Sequence, residues 1–513
     1  YVLAHPKSDS PKDLDMARKQ AASFLERCRN ILDTAPTDSS LKAVVTFLES
    51  DASHQKLFAD PNWIECAKVP GCNLTFRVAG QNELVCQSDA IRSFVEREVP
   101  APTNPEDSGE VPTPVQGVCL VTGQYARLAR THPRTPLPDK NSKSNAKLVS
   151  FQKASGFDSY GRQQSYNAPV GEHAAFNYTT ALNHLLRRDS PNRIQVGDAS
   201  TVFWAAEDSA FAGSFAAMFG ATDQDNPDSG VQAVRGMLKA TETGAYVPDD
   251  RDVRFYVLGL APNAARIAVR FWKEGPVRDF ALHIAQHFKD IEIVAPGFEK
   301  PYLPLYRLLN STALLNKGEN VPPNMAGDTM RAILTGLPYP AMLLQAAVRR
   351  CRAERQINYP RAAVIKATIN RLIRHQQLNA KELDMSLNRN NTDPGYRLGR
   401  LFSALERVQS AAQPGINSTI RDRYYGAASS SPSSVFPVLL RLKNHHLAKL
   451  DGGLATWYEK LFGEIFSGIE DFPPQLSLKE QGLFAIGYYH QQQDFFAGKS
   501  KPTSTPDSNA GEN

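Results

Sequence analysis

The spacing of apolar residues predicts helices at the start of the chain. Residues 1–65 carry apolar side chains at helical spacing, and within them a run over residues 41–48 follows Asp38-Ser39-Ser40. Because Asp and Ser side chains accept hydrogen bonds from the free N–H groups of a first helical turn, this tripeptide predicts a helix N-terminus. We interpret the proline-rich, acidic residues 100–116 as a linker or an exposed loop.

Alternating apolar and polar positions predict β-strands in the middle of the chain. Ile267, Val269 and Phe271 fall on one side of residues 266–272, and a period of two is typical of a half-buried strand. Gly80-Gln81-Asn82 predicts the turn of a hairpin. The predicted strands cover residues 74–79, 83–86, 117–121, 147–151, 201–206, 253–260 and 266–272.

The pattern becomes helical after residue 276, and residues 328–490 contain no convincing strand. A further helix is predicted at residues 174–188, between strands. We therefore expect an α+β fold, with a mixed α/β N-terminal portion followed by an all-helical C-terminal bundle domain. The predicted domains are a helical and hairpin region with its linker at residues 1–116, a mixed α+β portion at 117–325, a basic helical bundle at 326–496 and a disordered tail at 497–513.

Charge is unevenly distributed along the chain. Residues 207–252 carry nine aspartates and glutamates against two cations before Arg251, which predicts a solvated, peripheral acidic insertion. Overall, 42% of the 513 residues are hydrophobic and 22% are charged, and this balance excludes a mainly disordered or fibrous protein. The net charge of +5 is only mildly basic, so nucleic-acid binding would require local clusters of cations.

Nothing in the sequence predicts attachment to a membrane. The longest uncharged runs fall short of the roughly 20 apolar residues that a membrane-spanning helix needs. No secretory signal is present, but the first residue is Tyr1 rather than methionine, so we expect the true N-terminus to be missing. Six cysteines without a CxxC spacing predict free thiols in a reducing cytoplasm.

The chain lacks the short motifs that carry common chemistry. GxxxxGK[ST], GxGxxG, HExxH and GxSxG do not occur, so we expect no catalytic residue, no cofactor and no bound metal. One alternative is a metal-dependent nuclease or hydrolase, in which Asp189, Asp198 and Glu207 would hold Mg²⁺ through oxygen ligands. Metal-dependent cleavage by the purified chain would identify that class.

Cations are concentrated in three stretches. Residues 349–374 carry eight cations and one anion, residues 389–449 carry nine and three, and residues 120–194 carry eleven and four. Because the planar guanidinium of arginine suits phosphate, we predict that these surfaces hold a nucleic-acid backbone, although a solvated helix face gives the same pattern. On the predicted helix, Lys366, Arg371 and Arg374 are expected to project away from the apolar stripe. The candidates for backbone contacts are Arg349, Arg350, Arg361, Lys366, Arg371, Arg421 and Arg423.

Reading a base requires groups that both donate and accept hydrogen bonds, which the side-chain amides of Asn and Gln provide. Such residues and lysines are frequent in the proline-rich loop at residues 131–147 and in the stretch that follows it. The alternative is that residues 159–161 and 167–169 form ordinary turns and caps. The candidates for reading a DNA motif are Lys140, Asn141, Lys143, Asn145 and Lys147, followed by Gln163, Gln164 and Asn167.

A series of short motifs occurs in order between residues 117 and about 470. They include Cys119-Leu-Val-Thr-Gly123, Phe157-Asp-Ser-Tyr-Gly161, Tyr178-Thr-Thr-Ala-Leu-Asn183, Leu260-Ala-Pro-Asn-Ala-Ala-Arg266, Gly336-Leu-Pro-Tyr-Pro340, Arg361-Ala-Ala-Val-Ile-Lys366, Gly399-Arg-Leu-Phe402 and Asn417-Ser-Thr-Ile-Arg-Asp-Arg423. The series resembles the large subunit of the type I-C CRISPR Cascade effector, the C-subtype member of the eighth Cas family. Residues before 117 and the acidic residues 207–252 match poorly.

The resemblance implies a subunit of an RNA-guided antiviral complex that is not itself catalytic. Such subunits bind the short protospacer-adjacent motif of double-stranded DNA, aid duplex opening, stabilise the R-loop and offer a surface that recruits a helicase–nuclease. The implied partners are CRISPR RNA, target double-stranded DNA, the displaced single strand and the fifth- and seventh-family Cas subunits. A small subunit is implied as well, and Met385 is our candidate for its internal start. A second alternative is a stand-alone nucleic-acid-binding scaffold protein.

Overall fold

A computed structural model describes residues 3, 6, 10–68, 74–97, 115–138, 143, 145–152, 161–207, 209–220, 228–243, 253–263, 266–376 and 380–497. The chain divides into two compact units. The first comprises Tyr1–Arg130 and Lys153–Asn177, and the second comprises Thr131–Gln152 and Tyr178–Asn513. The architecture confirms the expected α+β class with a helical C-terminal region.

The first unit is mainly helical, as the spacing of apolar residues predicts. Its helices are α1 (Pro11–Thr34), α2 (Ser39–Leu48), α3 (Asp51–Phe58), α4 (Pro61–Ala67) and α5 (Asp89–Arg97), followed by the antiparallel strands β1 (Gln116–Val118) and β2 (Tyr125–Arg127). Asp38 caps α2 by accepting a hydrogen bond from the backbone N–H of Leu41 at 2.9 Å. Apolar side chains of α1 and α2 form the core of this unit, including Ile31, Leu41 and Val44.

The hairpin predicted at residues 74–79 and 83–86 is wrong. One backbone bond joins the two segments, from the N–H of Val85 to the carbonyl of Phe76 at 2.9 Å, and a short 3₁₀ helix replaces the second strand. The alternation arises because Phe76 and Val78 reach the helical core while their neighbours face solvent. The strand predicted at residues 147–151 is likewise reduced to one bridge, because the chain bends as Leu148 packs inward.

A four-stranded antiparallel sheet forms the middle of the second unit. Its strands are β3 (Arg193–Val196), β4 (Ala199–Ala205), β5 (Arg254–Asn263) and β6 (Arg266–Pro276), paired in that order, and α6 (Glu172–Leu185) precedes them. The strands predicted at residues 201–206, 253–260 and 266–272 and the helix predicted at 174–188 are confirmed. The alternation predicted for residues 266–272, which placed Ile267, Val269 and Phe271 on one side, is wrong at Phe271. Leu260 pairs with Val269 but Gly259 pairs with Phe271, so β6 carries a bulge.

This bulge reverses the face to which each side chain points in the second half of β6. Because one extra residue separates the two pairs, Phe271 faces the main core, whereas Val269 lies on the opposite face and is 52% exposed. The glycine at position 259 is required by the same geometry, since a Cβ there would overlap the ring of Phe271. Trp272, which pairs with Leu258, consequently shares the face of Val269.

Two helices from the acidic stretch belong to the core, so the expectation of a wholly solvated insertion at residues 207–252 is wrong. They are α7 (Ala210–Phe219) and α8 (Ser229–Thr243). Phe211, Phe215 and Phe219 recur every four residues in α7 and are buried against the sheet. The prediction relied on the number of acidic residues in this stretch and overlooked the helical spacing of its phenylalanines.

The chain after β6 is helical, as predicted, and the described part of residues 328–490 contains no strand. Its helices are α9 (Val277–Ile291), α10 (Leu305–Ser311), α11 (Pro323–Thr335), α12 (Ala341–Glu354), α13 (Tyr359–His375), α14 (Pro394–Ala412), α15 (Ile420–Ala428), α16 (Pro432–Leu447), α17 (Gly452–Phe466) and α18 (Leu478–Ala497). One hydrophobic core contains buried residues from Ile194 to Tyr489. It includes residues on both sides of the domain boundary predicted between positions 325 and 326. None of the helices in the described ranges is long and apolar enough to cross a membrane.

Candidate nucleic-acid interface

Arg361 is completely buried at the start of α13. Its Nε donates to the carbonyl of Ser311 at 2.7 Å, its Nη1 donates to the carbonyl of Gln356 at 3.0 Å, and its Nη2 forms an ion pair with Glu354. Every edge of the guanidinium is therefore occupied by the protein itself. Such an arginine fixes the α12–α13 connection and cannot reach a phosphate without unfolding this region.

A second buried cluster surrounds Asp290 near the C-terminus of α9. Its carboxylate binds Arg371 Nε at 2.6 Å and Arg374 Nη2 at 2.9 Å, and its backbone carbonyl accepts a hydrogen bond from Lys366 Nζ at 3.0 Å. The guanidinium of Arg371 also lies 4.3 Å from the ring centroid of Tyr339. Burial lowers the pKa of Lys366, and the nearby charge of Asp290 opposes that shift.

The prediction that Arg361, Lys366 and Arg371 contact a nucleic-acid backbone is wrong in this structure. The expectation that Lys366 and Arg371 project away from an apolar stripe fails because α13 is buried on nearly all sides. A central helix of this kind can carry cations only when carboxylates and carbonyls balance them, which Asp290, Glu354 and several backbone oxygens do. The basic run of α13 is therefore structural.

The other four candidates for backbone contacts differ in their exposure and in whether a carboxylate is already bound to them. Arg349 on α12 and Arg423 on α15 are exposed, and among the described residues neither has an ion-pair partner. Arg350 is largely buried, 3.7 Å from Glu354, and Arg421 is half-buried, 3.5 Å from Glu406. The available charge thus lies at Arg349 and Arg423. Sequence reasoning left out Arg352, which is exposed one turn after Arg349 and donates to Ser430 Oγ at 3.4 Å.

The described part of residues 131–152, which we call the basic segment, packs against the sheet of the second unit. Leu137 and Ala146 are buried beside α6, and the backbone N–H of Thr135 donates to the carbonyl of Ala146 at 2.8 Å. These contacts close the loop at its base and leave Lys143 and Asn145 exposed at the surface. Lys140 and Asn141 lie outside the described residues.

Electrostatic coupling shows that cations of the basic segment lie close together. Partial burial lowers the pKa of Lys147, and the positive charge of Arg134 lowers it further. Burial lowers the pKa of His132 to about 4, with a second contribution from Lys147. Cations that disfavour one another's charged forms create a local positive potential, which attracts an anionic ligand.

Gln163, Gln164 and Asn167 belong to the first unit, so they lie in a different compact unit from the basic segment. Asn167 Nδ2 donates to the carbonyls of Arg162 and Gln164, each at 2.9 Å, which fixes the turn around it. Asn167 thus plays the turn-and-cap role that the sequence left open. Gln164 has a φ of 48° within the same turn, and Gln163 is exposed.

Three aromatic side chains on the sheet were not foreseen as a group. Trp204 and Tyr256 are cross-strand neighbours whose rings stack with centroids 5.2 Å apart, and Trp272 lies 5.8 Å from Trp204 and 5.9 Å from Tyr256. We call these three residues the aromatic ladder. The alternation in β4 and β5 could have indicated the first two, but only the bulge in β6 places Trp272 beside them.

Two of the three residues proposed for a magnesium site, Asp189 and Asp198, have other partners. Asp198 forms an ion pair with Arg270 at 2.5 Å, and Asp189 lies 3.8 Å from Arg187. Across the described ranges, no group of three or more His, Cys, Asp or Glu side chains could hold a metal ion.

Comparison with known proteins identifies the family. No curated protein sequence matches the chain. The model of the family described as CRISPR-associated protein (Cas_Csd1) matches residues 1–496, including residues 1–116, over which the resemblance was poor. Since this match covers nearly the whole sequence, the chain belongs to the Cas_Csd1 family of CRISPR-associated proteins.

Proposed function

We propose that this chain is the non-catalytic large subunit of a type I-C Cascade complex in antiviral defence. In this role it binds the protospacer-adjacent motif of double-stranded DNA, aids duplex opening, stabilises the R-loop and provides the surface that recruits a helicase–nuclease. The proposal combines the CRISPR-associated family with the series of motifs given above. CRISPR RNA and the fifth- and seventh-family Cas subunits are its proposed partners.

The observation that carries the proposal is the exposure of Lys143 and Asn145 on the positively charged basic segment. A lysine can neutralise a phosphate without regard to sequence, whereas an asparagine amide can donate to and accept from a base edge. The buried side chains of Leu137 and Ala146 fix the base of this segment. A fixed base helps because recognition of a base edge requires the reading side chain to be held in register with the duplex.

The experiment is a binding titration on the assembled complex. The chain is co-expressed with its neighbouring genes and purified through a tag, and binding is measured to duplexes that match the bound RNA and differ in the flanking trinucleotide. We expect affinity to depend on the flank, and cleavage to require a separate nuclease. Asn145→Ala should reduce discrimination between flanks, whereas Lys143→Ala should weaken binding to all flanks to a similar extent.

Lys239→Ala is a matched control, because Lys239 is an exposed lysine on α8 in the acidic part of the chain. Equal binding to all flanks by the unmodified complex would contradict the motif-reading role. A chain that purifies without RNA would instead indicate a stand-alone nucleic-acid-binding protein. Metal-dependent cleavage by the chain alone would indicate a nuclease.

The proposed small subunit can be tested separately. Met385 is 50% exposed in the connection between α13 and α14, and a product that begins there would contain α14 to α18. Met385→Leu should remove a short C-terminal product from expression of the natural coding sequence while the full chain accumulates normally. Mass spectrometry of the purified complex measures both. A short product that persists with the same mass would exclude Met385 as its start.

A further inference from the structure

The aromatic ladder forms an open apolar surface on one face of the sheet of the second unit. Trp204 and Tyr256 are half-buried, and the indole of Trp272 is 46% exposed at the edge strand. Val269, on the same face, is 52% exposed. Large apolar groups that remain exposed side by side often mark a binding surface.

Part of this sheet face is covered by the protein itself. Val202 and Leu260 are completely buried beneath Leu182 of α6 and Ala146 of the basic segment. Trp204 is packed against the same small cluster. The aromatic ladder and the basic segment therefore share one small hydrophobic cluster, to which Trp204 and Ala146 both contribute.

Positive charge lies beyond one end of the aromatic ladder, at the start of β6. At the first residue of the strand, Arg266 pairs with Lys147 of the basic segment in a parallel bridge. The strand then passes Val269 and reaches Trp272, a distance of roughly 20 Å at about 3.3 Å per residue. At the other end Arg254 is exposed and bound to Glu274 at 2.9 Å.

We propose that the aromatic ladder is a stacking platform for the bases of single-stranded nucleic acid, whose backbone continues along β6 towards Lys147 of the basic segment. Aromatic rings accept any base, because every base has a π-face, and cations further along the path of the strand hold its backbone. The rings would contact the faces of the bases rather than their edges, so binding should tolerate changes of sequence. The proposal deepens the proposed function, since an effector that opens a duplex must hold an unpaired strand.

The test uses the full-length chain and a fluorescent oligothymidylate of about 15 nucleotides. We expect Trp272→Ala to weaken binding by about tenfold or more, in line with the loss of one stacked base. Trp272→Phe should retain most of the affinity, and Trp272→Leu should lose it although it keeps an apolar side chain. Trp457→Ala is the matched control, because Trp457 is 50% exposed on α17, away from this sheet.

Salt dependence separates stacking from charge. Removing a ring should lower affinity at every salt concentration and leave the slope of log affinity against log salt unchanged. Lys147→Ala should reduce that slope by roughly one. Thermal unfolding of each variant shows whether the sheet remains folded, and equal melting of Trp272→Phe and Trp272→Leu would make the comparison between them purely one of stacking.

Three results would overturn the proposal. The first is unchanged binding by Trp272→Ala, and the second is equal binding by the Phe and Leu variants. The third is normal strand binding by Trp272→Ala together with loss of another Cas subunit from the complex, which would make the aromatic ladder a protein-docking surface. Each of these results is compatible with flank-dependent binding of duplex DNA by the assembled complex. The proposed function would then stand although the aromatic ladder is not a stacking platform.

Discussion

Arg371 and Asp290 form a buried ion pair in which Nε and Oδ2 are 2.6 Å apart and each side chain is only 2% exposed. The pair joins α13 to α9, and Arg371 Nη1 also donates to the carbonyls of Ala332 and Leu337. The same arginine, considered only as part of a basic run, was a candidate for DNA binding. Its partner is 81 positions away in the chain, and no local pattern could reveal it.

Loss of the Asp290 carboxylate should therefore destabilise the fold strongly. Asp290→Asn leaves Arg371 buried without an anion, and breaking a buried pair in this way costs about 3–5 kcal/mol. Urea unfolding, followed by circular dichroism, measures the change in the free energy of unfolding. The control is Glu274→Gln, which removes the exposed partner of Arg254 and should cost less than about 1 kcal/mol. Similar effects from the two variants would contradict the structural role of the buried pair.

The sequence predicted those parts of the fold that depend on local spacing. The helices after residue 276 and the positions of strands β4 to β6 follow from the spacing of apolar residues, although the bulge changes which face Phe271 occupies. The hairpin at residues 74–86 was wrong because an alternating pattern shows which side chains turn inward, not whether a neighbouring strand is present to pair with. The apolar face of α7 was missed because acidic loop residues dominated the composition of its surroundings.

The candidate site was predictable only in part, for a related reason. Exposed and buried cations look alike in a sequence, so Arg349 and Arg361 were placed in one group, although one is exposed and the other has no exposed surface. The aromatic ladder depends on a bulge opposite Gly259 and Leu260, and a single extra residue reverses which face Trp272 occupies. Neither burial nor a bulge can be inferred from spacing alone.

Close packing between α14 and α18 gives a second prediction about stability. A Cβ at Gly487 would overlap the backbone carbonyl of Tyr396, and backbone cannot move aside as a flexible side chain can. Gly487→Ala should therefore lower the free energy of unfolding by about 1–3 kcal/mol. Gly463→Ala in α17 is the control, because Gly463 has open space around its Cα and should gain roughly 0.5–1 kcal/mol from the better helix propensity of alanine. Thermal melting in one buffer compares both variants, and a stabilised Gly487→Ala would refute the close approach.

The buried His490 predicts how stability depends on pH. Its Nδ1 lies 2.9 Å from the hydroxyl of Tyr396, and burial, with a smaller contribution from Lys366, lowers its pKa from 6.5 to about 4. The folded protein therefore excludes a proton that the unfolded chain binds, so stability should fall as the pH decreases from about 6.5 to about 4. The slope from one such histidine is at most about 1.4 kcal/mol per pH unit.

Urea midpoints at several pH values test this dependence in the wild-type protein and in His490→Gln. The variant should show a shallower loss of stability over that range, whatever its stability at pH 7. Some slope should remain, because the pKa values of His132 and His287 are also lowered by burial. An identical slope in both proteins would show that His490 does not contribute to the pH dependence.

Arg349 and Arg423 remain the candidates for backbone contacts on the helical surface, and their roles can be separated from those of the buried arginines. If each neutralises one phosphate, Arg349→Ala and Arg423→Ala should each reduce the slope of log affinity against log salt by roughly 0.9, without changing the preference for a flanking sequence. The measurement is a salt titration of duplex binding by the assembled complex. Arg331→Ala is the control, because Arg331 is also exposed but is already paired with Asp328 at 2.8 Å. An unchanged slope in both variants would show that the DNA backbone does not pass over α12 and α15.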